Sequence, residues 1–174
     1  SNDGMKIYAY DIDINLIEIA KKQYGVIPIS DDMVYDKDVD IYAPCALGAT
    51  VNDDTISRLK CSIIAGAANN VLKDPNKHSK ELLSKGILYA PDYAINAGGL
   101  INVYNELEDY NKDRAFSQAE GIYDILMDIF YRSDKECIPT TIASDRKAEE
   151  RINKISSLKS FYLPNRRKTF LKGR

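Results

Sequence analysis

Up to about residue 92 the chain alternates apolar runs that suit β-strands with segments of helical periodicity, and after Gly98 only helical segments follow. The run KIYAYDI at residues 6–12 is rich in strand-forming side chains. INLIEIAKKQYG, residues 14–25, then spaces its apolar residues as one face of a helix and ends on glycine. VDIYAPC (39–45), CSIIAGAA (61–68) and GILYAPD (86–92) are further strand candidates, and the second is apolar almost throughout, as a strand covered on both faces would be. Between them, Asn52 or Thr50 can cap a short helix carrying Ile56 and Leu59, and residues 76–86 form a helix with a glycine stop. Such alternation predicts an α/β fold with right-handed crossovers, a parallel sheet, and ligands at the carboxyl ends of its strands. Residues 1–97 are read as the sheet and its helices, 98–158 as helices packing on it, and 159–174 as a basic tail.

Size and composition limit the classes open to the chain. Its 174 residues suffice for one domain with a full core. At 44% hydrophobic and 29% charged residues it has the balance of a soluble globular protein, and a formal net charge of −2 predicts neither a nucleic-acid nor a membrane partner. No apolar run reaches the roughly 18 residues of a membrane span, and SNDGMKIY lacks the pattern of a secretory signal, so the expected compartment is the cytoplasm. The three cysteines are too widely spaced for a metal or redox motif, and Cys61, opening CSIIAG, reads as a small buried hydrophobe. The single histidine, His78, lies in the polar stretch DPNKHSKE and is expected at the surface.

Strand ends hold the candidate site. Asp11 closes the first run, where an acid can accept hydrogen bonds from ribose hydroxyls; Asp13 is a weaker candidate for the same role. APCALGAT (43–50) and GAANN (66–70) each follow a strand with small residues that let a bulky ligand approach the backbone, and the second adds the amides of Asn69 and Asn70. Each segment, taken alone, also suits an ordinary turn. Asn96 stands where the last strand turns into a helix opening with Gly98 and Gly99, so a side-chain amide and backbone donors converge there.

The segments DIYAPCALGATVNDDTI, AGAANNVL, YAPDYAINAGGLINV and ASDRKAEERI resemble the nicotinamide-nucleotide domain of the glutamate, leucine, phenylalanine and valine dehydrogenase family, in its leucine-type branch. The resemblance runs from about Gly4 to the C-terminus. It implies oxidative deamination of a branched-chain L-amino acid to a 2-oxo acid, with NAD as cofactor. By that resemblance Asp11 would hold the adenosine ribose, Cys45, Ala46, Leu47 and Ala67 would line the cofactor, and Asn69 would contact its nicotinamide end. Asn96 would orient the carboxamide or the substrate backbone, and Phe116 and Ala119, three apart on one helix face, would border the substrate side chain. Ala67 stands where many leucine-type members carry serine, and Phe116 is bulkier than the aliphatic residue usual there. No catalytic or metal-ligating residue is assigned.

Family members are about twice as long, and the half that carries their catalytic lysines and aspartate has no counterpart here. Neither does the first strand with its G-x-G-x-x-G phosphate turn. The expected partners are therefore that N-terminal half, in cis or in trans, and, when complete, further copies of the same subunit. The resemblance implies an incomplete Rossmann-like sheet lacking its first strand. In the order 3-2-1-4-5-6 that strand is central, so residues 4–29 should be displaced, docked by closing the gap, or paired with a strand from another chain. A non-catalytic nucleotide-binding or interaction protein derived from the family is the alternative, and a self-sufficient enzyme of other chemistry a third.

Overall fold

The computed structural model describes residues 4–159. Its elements are β1 (Tyr8–Ala9), α1 (Ile14–Tyr24), β2 (Ile27–Pro28), β3 (Ile41–Tyr42), β4 (Ile63–Ile64), α2 (Pro75–Ser84), β5 (Leu88–Tyr89), α3 (Asp92–Ile95), α4 (Gly98–Glu106), α5 (Lys112–Glu136) and α6 (Thr140–Lys159). They fall into two compact units, Ser1–Gly99 and Leu100–Arg174. The basic tail beyond Lys159 lies outside the described residues.

The first unit is α/β, and its strands form two parallel sheets, β1–β2 and β3–β4–β5. In doubly wound numbering these are strands 2 and 3 on one side and 4, 5 and 6 on the other, with no strand of the described residues in the first position. The expected runs of seven or eight residues contract to two-residue ladders. Pro44 accounts for one shortening: it has no N–H to continue the β3–β4 ladder, and its carbonyl accepts instead from Ala68 N at 3.0 Å. β2, a two-residue ladder in the short run at residues 26–29 interrupted by Pro28, went unread in the sequence.

Burial is unequal between the two sheets. Val51, Ile56, Leu59, Cys61, Ile64, Ala68, Val71, Leu72, Leu82, Ile87 and Tyr89 form one core around β4, β5 and α2, with Tyr35, Val39 and Tyr42 packed against it. Burial also pushes the Cys61 thiol up. The helix expected to carry Ile56 and Leu59 does not form. Asn52 Oδ1 instead accepts from Asp54 N at 3.0 Å and Thr55 N at 3.2 Å, giving a side-chain-capped turn that delivers both residues to the core. On α1, by contrast, no residue is buried, and Ile14 is 73% exposed.

His78 is not at the surface. It is 1% exposed, its Nδ1 accepting from Asp74 N at 3.0 Å and its Nε2 lying 2.9 Å from Asp53 Oδ1. Nε2 therefore carries the proton and donates to the carboxylate. Helical spacing explains the placement: His78 and Leu82, four apart on α2, share the inward face.

The second unit is helical. α5 and α6 pair as a hairpin, with Ile129 and Ala143 buried and a bidentate ion pair from Arg132 to Glu150 at 2.8 and 3.0 Å. Ion pairs Lys147–Asp128 and Arg146–Glu136 add to it. Among the described residues no helix is long and apolar enough to cross a membrane.

Candidate functional site

Three turns leave the carboxyl ends of β3, β4 and β5, and the backbone locks them together. Gly66 passes so close to Pro44 that an added Cβ would lie 2.1 Å from its carbonyl oxygen, and at Gly48 a Cβ would lie 2.7 Å from Asn69 O. Only glycine permits either approach. Ala49 and Asn70 both adopt left-handed backbone (φ 56° and 53°), and Ala49 N donates to Asn70 O at 2.7 Å.

The β4 turn is fastened to the β5 turn by a buried acid that sequence reading overlooked. Asp92, 8% exposed, accepts from Val71 N through Oδ2 and from Tyr93 N through Oδ1, both at 2.8 Å. Its backbone N–H donates to Tyr89 Oη at 3.3 Å. Burial, and then the charge of Asp92, push the Tyr89 phenol well above its ordinary range. An acid directly after a proline at a helix start was the available signal.

On this frame the amides meet. Asn96 Nδ2 donates to Asn69 Oδ1 at 2.5 Å and lies 3.4 and 3.5 Å from the carbonyls of Ala67 and Ala68. Among the described residues this leaves Asn69 Nδ2 as a donor and Asn96 Oδ1 as an acceptor, side by side at one strand edge. That is the complement of a primary carboxamide. Cys45, Ala46 and Leu47 in the turn after β3, and Ala67 in the turn after β4, are exposed, Leu47 at 75%. They offer small or apolar surface without a competing charge.

Asp11 follows β1, in the other sheet. Its Oδ1 accepts from Asp13 N at 2.9 Å, and Oδ2 has no partner among the described residues, so one oxygen remains for a diol. Asp13 caps α1 instead, accepting from Asn15 N at 2.9 Å. The chain therefore offers a free carboxylate oxygen after β1, which suits a ribose diol, and a donor–acceptor amide pair after β4 and β5, which suits a nicotinamide carboxamide.

Phe116 and Ala119 belong to the second unit, where Phe116 is exposed on α5 with Lys112 Nζ 5.6 Å from its ring centre, and Ala119 is half-buried. The first turn of α5 is held by a polar network that the sequence did not disclose. The fully buried Asn105 accepts from Arg114 Nε at 2.5 Å and donates to Gln118 Oε1 at 2.7 Å, while Arg114 also donates to Glu108 O at 2.8 Å.

The sequence profile described as Glutamate/Leucine/Phenylalanine/Valine dehydrogenase matches residues 5–157. Leucine dehydrogenase of Thermoactinomyces intermedius is 47% identical over 166 residues, covering 95% of this chain and 45% of the relative. L-tryptophan dehydrogenase of Nostoc punctiforme is 47% identical over 156 residues, covering 90% and 44%. A crystal structure of L-tryptophan dehydrogenase from Nostoc punctiforme superposes with a TM-score of 0.84 at 48% identity, over 86% of this chain and 45% of that one. The chain thus spans less than half the length of the relatives it matches. It belongs to the Glutamate/Leucine/Phenylalanine/Valine dehydrogenase family.

Proposed function

We propose that the chain is the nicotinamide-nucleotide-binding part of a leucine-type amino-acid dehydrogenase, which oxidatively deaminates a branched-chain L-amino acid to its 2-oxo acid with NAD. The observation that carries this reading is the Asn69–Asn96 amide pair, held at the carboxyl ends of β4 and β5 by Asp92 and by close backbone contact. NAD, when bound, supplies the hydride acceptor. Asp11 holds the adenosine ribose through its free oxygen, and its charge disfavours a 2′-phosphate. Cys45, Ala46, Leu47 and Ala67 line the cofactor, and Asn69 and Asn96 fix the carboxamide so that one ring face meets the substrate. That is a positioning role.

Phe116 and Ala119 border the substrate side chain in this reading. The groups that activate water and hold the substrate carboxylate come from the rest of the family fold, in cis or in trans, and the complete subunit forms homo-oligomers. The chain by itself is then without deaminase activity, because a positioned base and a carboxylate clamp have no substitute in a cofactor site.

Asn96→Ala and Asp11→Ser in the complete enzyme test the assignment. Asn96→Ala should lower kcat by tenfold or more with little change in thermal stability, and Asp11→Ser should narrow the preference for NAD over NADP. Full turnover with a large loss of thermal stability would make Asn96 a structural cap. Unchanged cofactor preference would remove Asp11 from the ribose.

A further inference from the structure

Two ammonium groups close on one phenol ring in β1. Lys37 Nζ lies 4.2 Å and Lys6 Nζ 5.2 Å from the Tyr8 ring centre. Lys6 and Tyr8, two apart in the run that enters β1, share a face by strand alternation, and Lys37 reaches the ring from the segment ahead of β3. Elsewhere among the described residues a tyrosine ring has at most one cation over it, Arg58 at 5.4 Å from the Tyr35 centre and Lys135 at 5.8 Å from that of Tyr131.

Neither lysine is held by an acid. Among the described residues no carboxylate forms an ion pair with Lys6 or Lys37. Asp36, beside Lys37 in sequence, is taken by Arg58 at 2.7 and 3.2 Å. Two positive charges are thus set against a half-buried phenol, whose oxygen can take up negative charge. Lys6 first, and then Lys37, hold the Tyr8 phenol below its ordinary range, whereas burial pushes the phenols of Tyr42 and Tyr89 up.

We propose that Tyr8 is a nucleophilic phenol, a covalent-modification site for activated acyl and sulfonyl electrophiles, with Lys6 and Lys37 stabilising its oxygen as it attacks. The phenol proton passes to water, and an oxygen lone pair forms the new bond to the carbonyl carbon or the sulfur. The bond to the leaving group breaks and that group departs with its electron pair, so nothing is oxidised or reduced. The two ammonium charges meet the negative charge on the phenol oxygen, as neighbouring cations do for other activated nucleophiles. None of the three residues is assigned to the cofactor or the substrate, and the site stands or falls independently of NAD binding.

The test treats the full 174-residue chain with an arylsulfonyl fluoride and counts adducts at each of its twelve tyrosines by peptide mass spectrometry. Fluoride is the leaving group. Access alone would favour Tyr24 and Tyr131, which are 68% and 66% exposed. Tyr8 should nevertheless outpace both by about tenfold, and salt at about 1 M should slow it several-fold by screening the two lysines. Lys6→Gln together with Lys37→Gln should bring Tyr8 down by about tenfold, while Lys37→Arg, which keeps the charge, should leave its rate within about twofold. An unchanged far-ultraviolet spectrum checks that each variant folds. Labelling of Tyr8 no faster than of Tyr24 in the parent chain would overturn the assignment, as would a Tyr8 rate unmoved by the double substitution. So would adducts on Lys6 or Lys37 in place of Tyr8, since the lysines would then be the nucleophiles.

Discussion

Two parts of the first unit, built from the same strand–helix–strand grammar, end in different physical states. β3, β4, β5 and α2 surround a continuous core in which Ile64, Val51 and Leu82 are almost wholly buried. β1, α1 and β2 are paired and capped just as regularly, yet α1 buries nothing and Ile12 is 91% exposed. α1 is amphipathic as well. What differs is a neighbour: among the described residues β4 has a strand on each side, while β1 has one. Amphipathic pattern is a demand for a partner, and stability comes only where the demand is met.

The sharpest way to break this comparison is truncation on each side of it. Leu82→Ala should cost about 2–5 kcal/mol by urea denaturation, whereas Leu16→Ala on α1 should fall within about 0.5 kcal/mol. Equal losses would mean that α1 packs as tightly as α2. Next in size, Asp92→Ala leaves Val71 N–H buried without its acceptor and should cost about 1–3 kcal/mol, with the strand-end turns loosened in the same measurement. Asp13→Ala removes the α1 cap, worth about 1 kcal/mol to the helix. It should reduce far-ultraviolet helical signal while the core transition stays where it was.

The smallest effect is a pH dependence. Lys77, and then His78, hold the exposed Asp53 carboxyl down at about 2, below the ordinary carboxylate value of about 3.9. A depressed carboxyl contributes its stability above the unfolded value and loses it as pH falls through the folded one, so this contribution fades between about pH 4 and 2. Asp53→Asn should flatten that part of the stability profile, read from melting temperatures at stepped pH. An unchanged profile would separate Asp53 from the hold on α2.

Much of this arrangement was legible in residue order. Gly25 and the periodicity of residues 14–25 bound α1 to within a residue, and residue order placed Asn69 and Asn96 at the ends of successive strands, though not the hydrogen bond between them. Strand lengths were not legible, because an apolar run such as VDIYAPC satisfies strand propensity whether or not its backbone finds a partner, and Pro44 ends the ladder early. His78 was misread because its flanking residues are polar, although its spacing from Leu82 placed both on one face. Asp92 and the Asn105–Arg114 network escaped notice because both are long-range pairings whose members look, one at a time, like ordinary helix-end polar residues.

Native-state hydrogen exchange in rising urea tests the central claim most directly, because it reads the opening free energy of each backbone amide in the same molecule. Ala65 and Ala90, which donate across the β3–β4–β5 sheet, should exchange only through the main unfolding transition, while Ile27 and Ile29, which join β2 to β1, should exchange through a far cheaper opening that leaves the core intact. If Ile27 and Ile29 merged with Ala65 and Ala90 into one transition in the monomeric chain, the two sheets would be a single cooperative body, and the contrast drawn between them would be wrong.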